Sequence, residues 1–163
     1  PRCFKIADGI TLSEPKQIHL SGLHGSAAPF IVTSIYNNPA CAQLNHIIIL
    51  RDAEEAAYVH NTLESLTNAL DLFYFPSSFK NAKNFRLLNS SHVMLRTEAL
   101  TRLSAGGNKK IIVTYPEAIF EKVILPKTLQ QNIIQLKTND SLQLNDLMQQ
   151  LVEAFNNLSQ KQI

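Results

Sequence analysis

Hydrophobic and polar positions along the chain alternate between two kinds of segment. Short continuous apolar runs stand at "QIHL" (Gln17–Leu20), "HIIILRD" (His46–Asp52), "DLFYFP" and "KIIVTYP". Each has the length of a strand, and each is bounded by turn formers or charges. The run at His46–Asp52 reads as a strand buried on both faces of a parallel sheet. Between the runs the apolar spacing becomes three or four residues, which is helical. Ala27–Asn37 places Phe30, Ile31, Ser34 and Ile35 on one side, with Pro29 in the first turn, where proline is tolerated. Ala53 to about Leu66 places Ala56, Val59, Leu63 and Leu66 on one face. Asp52 stands at its N-cap, with Glu54 and Glu55 in the first turn. A helix capped by Ser90 or Ser91 runs to about Leu103, with Val93, Leu95, Leu100 and Leu103 inward. It is ended by Gly106 and Gly107 in "AGGNKK". A short turn, "PEAIF", follows the fourth strand.

The order β-α-β-α-β-α-β predicts an α/β fold with a parallel sheet flanked by helices. "SSFKNAKNFRLLNSS" has no clear period and reads as a long surface loop. After Phe120 the character changes. A connector, "EKVILPKTLQQ", leads to a strand, "NIIQLKTND". An amphipathic helix then starts at an N-cap, Ser141, and gathers Leu144, Leu147, Leu151, Val152 and Phe155 on one side. The expected division is residues 1–120 as an α/β domain and 121–163 as a connector and the start of a second lobe.

Composition narrows the classes. With 45% hydrophobic and 17% charged residues in 163, the chain can bury a core and is not of the disordered type. A net charge of +2 gives no strong pull toward nucleic acid. Two cysteines, Cys3 and Cys41, make neither a disulfide framework nor a metal site, and suit a cytoplasmic protein. The apolar runs are too short to span a bilayer. The first residue is not Met, which suits a piece of a longer protein.

The first strand-to-helix junction, "SGLHGSAAPF", has the setting of a phosphate-binding loop. A Walker A loop reads G-x-x-x-x-G-K-[ST]. Counting from Gly22, the second glycine is replaced by Ala27, the lysine by Ala28 and the hydroxyl residue by Pro29, while Gly25 is an extra loop glycine. Ala28 brings no charge to the outer phosphates. Pro29 has no hydroxyl for magnesium and no N–H for an anion. The loop is a degenerate nucleotide loop, or an ordinary strand-to-helix turn. A smaller anion or a mononucleotide at the Gly22–Gly25 turn is the alternative ligand, held by the helix N-terminus alone. His24 reads as a solvated loop residue.

In order along the chain, "LSGLHGSAAPFIV", "HIIILRDAEEAAYVHNTLESL", "LFYFPSS", "RTEALTRL" and "IIVTYPEAIFEKVILPKTLQQNIIQLKTNDSLQLNDLMQQLVEA" resemble one family. This is the N-terminal, UvrB-like module of transcription-repair coupling factors, and the resemblance covers nearly the whole chain. It implies a P-loop NTPase-like fold, similar to the first domain of UvrB, that has lost its ATPase. It also implies a non-catalytic scaffold without cofactor that recruits UvrA to nucleotide excision repair. The rest of the parent protein would mask the UvrA surface, and RNA polymerase and DNA would be engaged by its other domains, including an ATP-dependent translocase motor. After "LVEAF" the family continues into an Arg-Gly-containing hairpin that carries much of the UvrA contact. Here "NNLSQKQI" follows. No UvrA-contact residue is therefore assigned.

Remaining chemistry is sparse. Asp52 and Glu117 follow strands, as a Walker B acid would, but both suit helix starts. His19, His24, His46, His60 and His92 have no ligand spacing with one another or with cysteine, so no metal site is expected. No G-x-S-x-G elbow is present. Lys80, Lys83 and Arg86, interleaved with Phe79 and Phe85, form a small basic loop that could meet DNA or a partner. Lys109 and Lys110 read as a solvated strand start.

Overall fold

A computed structural model describes residues 2–10, 17–68, 71–81, 84–123, 125, 127 and 143–159. The chain falls into two compact units, Pro1–Val123 and Ile124–Ile163.

In the first unit three strands form a parallel sheet, β1 (His46–Ile49), β2 (Leu72–Phe75) and β5 (Ile111–Thr114). Their order is β1-β5-β2. The chain leaves β1 through α3 (Ala53–Leu66), passes over one position to β2, and returns through α4 (Ser90–Ser104) to fill the middle. The central place of β5 explains its composition, because Ile111, Ile112, Val113 and Thr114 are all buried. His46 pairs with Ile111 and Ile49 with Thr114 on one side, and Leu72 with Ile111 and Phe75 with Thr114 on the other.

One face of the sheet carries the main core. Ala56, Val59 and Leu63 of α3 meet Ile111, Val113 and Tyr36, with Ile48, Leu72 and Tyr74 at the margin. Here the expected helical face of α3 is observed. Its start is also as expected, since the Asp52 carboxylate accepts the Glu55 N–H at 2.9 Å. On the opposite face α4 lies against β2, with Arg96 stacked over Phe75. A second, smaller cluster joins Ala7 of α1 (Arg2–Ile10), Ile35 of α2 (Ala27–Tyr36) and Cys41 of a short 3-10 turn, Pro39–Cys41. Burial raises the pKa of the Cys41 thiol above its ordinary value. No apolar run announces α1, whose one-sided pattern mixes Gly9 and Asp8 with Ile6, Ala7 and Ile10.

Several expectations are corrected. Gln17–Leu20 is not a strand: all four residues are exposed and outside the sheet. A strand exists only through main-chain partners distant in sequence, and an apolar tetrapeptide does not specify them. β1 is not buried on both faces, since among the described residues it lies at the sheet edge and its Ile47 and Ile49 are 64% and 59% exposed. The helices that cover β1 do so on the Ile48 side. The surface loop at Ser77–Ser91 holds an antiparallel hairpin, β3 (Phe79–Asn81) with β4 (Asn84–Leu88), irregular between Phe79 and Asn81. The N-cap of α4 is Asn89, whose side chain accepts from the His92 N–H. On α2 the buried residues are Pro29, Ile35 and Tyr36, while Phe30 is 58% exposed and Ser34 is exposed.

The buried positions of α4 also differ from expectation. Arg96 and Ala99 are buried, whereas Leu95 is exposed and Val93, Leu100 and Leu103 are half-buried. The turn "PEAIF" is a one-turn helix, α5 (Pro116–Phe120).

In the second unit the described element is a helix, α6 (Leu144–Ser159). Leu144, Leu151 and Val152 of its apolar stripe are exposed. The strand expected at "NIIQLKTND", the Ser141 cap and the Phe155 side chain lie outside the described residues. Among the described residues no helix is long and apolar enough to cross a membrane.

Candidate functional site

The glycine turn precedes α2. Gly22 and Gly25 take φ of 71° and 54°, a conformation L side chains adopt at a cost, and no atom stands within 4 Å of a Cβ built on either. The glycines therefore serve backbone conformation, with open space around them. Residues 21–25 are exposed.

Two donors at this helix start are engaged within the chain. The Ala27 N–H donates to the His24 carbonyl at 3.1 Å, and the Phe30 N–H to the Ser26 carbonyl at 3.2 Å. Pro29 has no N–H, and its side chain is buried. Ser26 stands at the N-cap without capping the helix; its Oγ lies 2.6 Å from the Tyr58 hydroxyl of α3. That bond ties the turn to the second turn of the helix that follows β1. Gly22, Gly25, Ala27, Ala28 and Pro29 are thus together at one helix start, with no lysine among them. The arrangement can offer an anion the helix dipole and little else.

The other sequence candidates separate. Asp52 caps α3 and pairs with Arg51 at 2.9 Å. The Glu55 N–H, together with Arg51, holds its carboxyl below the ordinary value. Glu117 is an exposed first-turn residue of α5. Lys80 falls on β3 and Arg86 on β4, so two of the basic residues belong to a hairpin; their side chains, and Lys83 altogether, lie outside the described residues. Lys109 is exposed, but Lys110 is not the solvated residue expected. It is 4% exposed; its Nζ donates to the Gly106 carbonyl and its N–H to Asn45 Oδ1. Among the described residues no group of His, Cys, Asp and Glu could hold a metal ion.

No protein-family model, curated protein or solved structure matches the chain.

Sequence reasoning missed a second polar centre, where β2 and β5 end. Arg96 lies inside it. Its Nη1 donates to the Pro76 carbonyl at 2.8 Å and the Ala118 carbonyl at 3.0 Å, and its Nε is 3.5 Å from Glu121 Oε1. Its guanidinium carbon is 4.1 Å from the centroid of the Phe75 ring. Glu121 Oε2 accepts the Ser78 N–H at 2.8 Å and the Ser77 hydroxyl at 3.1 Å. The Ser77 N–H donates to the Tyr115 hydroxyl at 2.8 Å. The Ser77 carbonyl can only accept, so the His92 Nδ1, 2.8 Å away, carries the proton.

Desolvation lowers the pKa of Arg96 from its ordinary value, with Glu121 opposing. Burial raises that of Tyr115. Ligands of open α/β sheets sit at strand C-terminal ends. Here that place is filled by the protein's own groups, which join β2, α4 and α5. One signal was present in the sequence. Arg96 occupies the position between Val93 and Leu100 in a 3-4-3 spacing, inside an otherwise apolar stripe.

Proposed function

We propose that this chain is a non-catalytic, UvrB-like scaffold of a transcription-repair coupling factor, cytoplasmic, with a P-loop-like sheet whose nucleotide loop has degenerated. The observation that carries the reading is the helix start at Ala27–Pro29. It has two left-handed glycines before a helix, though among the described residues no strand leads into them, it has no lysine and no hydroxyl at Pro29, and it spends the Ala27 and Phe30 N–H groups internally. The parallel sheet flanked by helices supports the same reading, as does the ordered series of segments that resemble the family. Recruitment of UvrA then falls to surfaces rather than to a reaction centre. RNA polymerase and DNA would be met by other domains of the parent protein.

The test is a pull-down of UvrA, comparing this chain with one extended through the family's Arg-Gly-containing hairpin. Capture by the extended chain is expected. Failure of both chains would remove the reading. Calorimetry with millimolar nucleotide and magnesium checks the degenerate loop, and heat from a saturable site would replace the scaffold with a mononucleotide-binding domain at the Gly22–Gly25 turn.

A further inference from the structure

Among the described residues β2 has a sheet partner on one side only. The phase of its pairing follows from one bond. The Ile111 N–H donates to the Asp71 carbonyl at 2.9 Å. In a parallel pair, alternate residues of a strand turn both main-chain groups to the same neighbour. Asp71, Phe73 and Phe75 therefore face β5, and Leu72 and Tyr74 turn their N–H and C=O groups to the open edge. Thr114 Oγ1 donating to the Phe75 carbonyl at 2.9 Å agrees with this phase.

A cavity of about 280 Å³ lies along that edge. Leu72 and Tyr74 form its floor, and His60 and Glu64 of α3 and Leu95 and Glu98 of α4 form its walls. The walls stand on opposite faces of the sheet, because α3 packs on the Tyr74 side and α4 on the Phe75 side. Each wall carries one exposed carboxylate, and among the described residues no Lys or Arg lines the cavity. Neither Glu64 nor Glu98 has an ion-pair partner among the described residues.

We propose that the open edge of β2 is a strand-addition site for an extended segment of a partner protein bearing two consecutive basic residues. The main chain of such a segment would bond Leu72 and Tyr74, as exposed sheet edges do with peptides. Successive side chains of a strand point to opposite faces. A consecutive basic pair therefore sends one charge to Glu64 and the next to Glu98. A second copy of this chain fits poorly, because edge-to-edge pairing of β2 would bring four carboxylates together. This inference does not rest on the reading of the Gly22–Pro29 turn.

The probe is a short Val- and Thr-rich peptide with a central Lys-Arg pair, titrated into the full chain labelled with nitrogen-15. Saturable shifts at the Leu72 and Tyr74 amides are expected, with exchange of those amides slowed about tenfold or more at saturation. The double variant Glu64→Gln/Glu98→Gln should fold normally and weaken the peptide about tenfold. A peptide with Glu-Glu at the centre should bind less tightly still. Equal binding of the Glu-Glu peptide, shifts confined to other residues, or no loss in the double variant would overturn the proposal. So would protection of Leu72 and Tyr74 that grows with protein concentration in the absence of peptide, which would give the edge to a second copy.

Discussion

The turn before α2 and the junction after β2 both carry conspicuous polar or glycine residues, and they are built in opposite ways. The turn at Gly22–Gly25 is exposed, and no atom stands within 4 Å of a Cβ built on either glycine. One side-chain bond, Ser26 to Tyr58, ties it to α3. The junction at Ser77–Ser78 is enclosed by Tyr115, His92, Arg96 and Glu121, and one arginine at 4% exposure holds two carbonyls and faces a carboxylate. The more recognisable motif thus sits where the structure invests least. The centre that organises three elements shows no motif at all. A glycine turn is defined by local backbone chemistry, which a short sequence can specify. A buried arginine is defined by what surrounds it, and those partners lie 20 and 22 residues away.

This contrast can be broken by substitution, and the largest effect belongs to the junction. Arg96→Ala leaves Glu121 facing a gap and strands the Pro76 and Ala118 carbonyls. Removing one partner of a buried pair costs roughly 3–5 kcal/mol, so urea denaturation should show a loss of that size. A loss below that of a surface substitution would mean that the junction contributes no more than the turn. Tyr115→Phe removes the acceptor of the Ser77 N–H and should cost about 1–3 kcal/mol in the same assay, the range for a polar group left unpaired. Gly22→Ala should cost about 1 kcal/mol, because the added Cβ finds open space and only the left-handed backbone is penalised.

The smallest effect concerns Asp52, and it is pH-dependent. Its carboxyl is held below the ordinary carboxylate value by the Glu55 N–H and by Arg51. The charged form is therefore favoured in the folded chain. Its contribution is present above the ordinary carboxylate pKa and is lost as pH falls through the lower, folded value. Asp52→Asn should melt slightly below the parent chain at neutral pH and match it more closely in acid. A gap that widened as pH fell would contradict the capping role.

How much of this was legible in advance varies by element. The α3 face, the Asp52 cap and the fully buried β5 followed from spacing and composition alone. Ala56, Val59 and Leu63 repeat at helical intervals, and an uninterrupted "IIVT" suits a strand with neighbours on both sides. The run "HIII" looks just as apolar, yet among the described residues β1 has one sheet neighbour, and its Ile47 and Ile49 are exposed. Nothing in four apolar residues states how many neighbours a strand has. "QIHL" stayed outside the sheet for the same reason. The hairpin at Phe79–Leu88 was hidden among turn formers, since its pairing depends on contacts between two short, polar segments.

For the glycine turn, sequence was sufficient to name what is missing: Ala27, Ala28 and Pro29 stand where a phosphate loop needs glycine, lysine and a hydroxyl. Tertiary structure alone showed that Ser26 is engaged by Tyr58 and that the Ala27 and Phe30 donors are occupied. The sequence by itself determined the buried face and the Asp52 cap of α3 and the apolar make-up of β5, because those depend on residues within a few positions of one another. The strand order, the outer places of β1 and β2 in the sheet of the described residues and the burial of Arg96 were decided only in three dimensions. Each depends on which distant segments meet, and only Arg96 left a local trace of it, as the polar member of an otherwise apolar helical stripe.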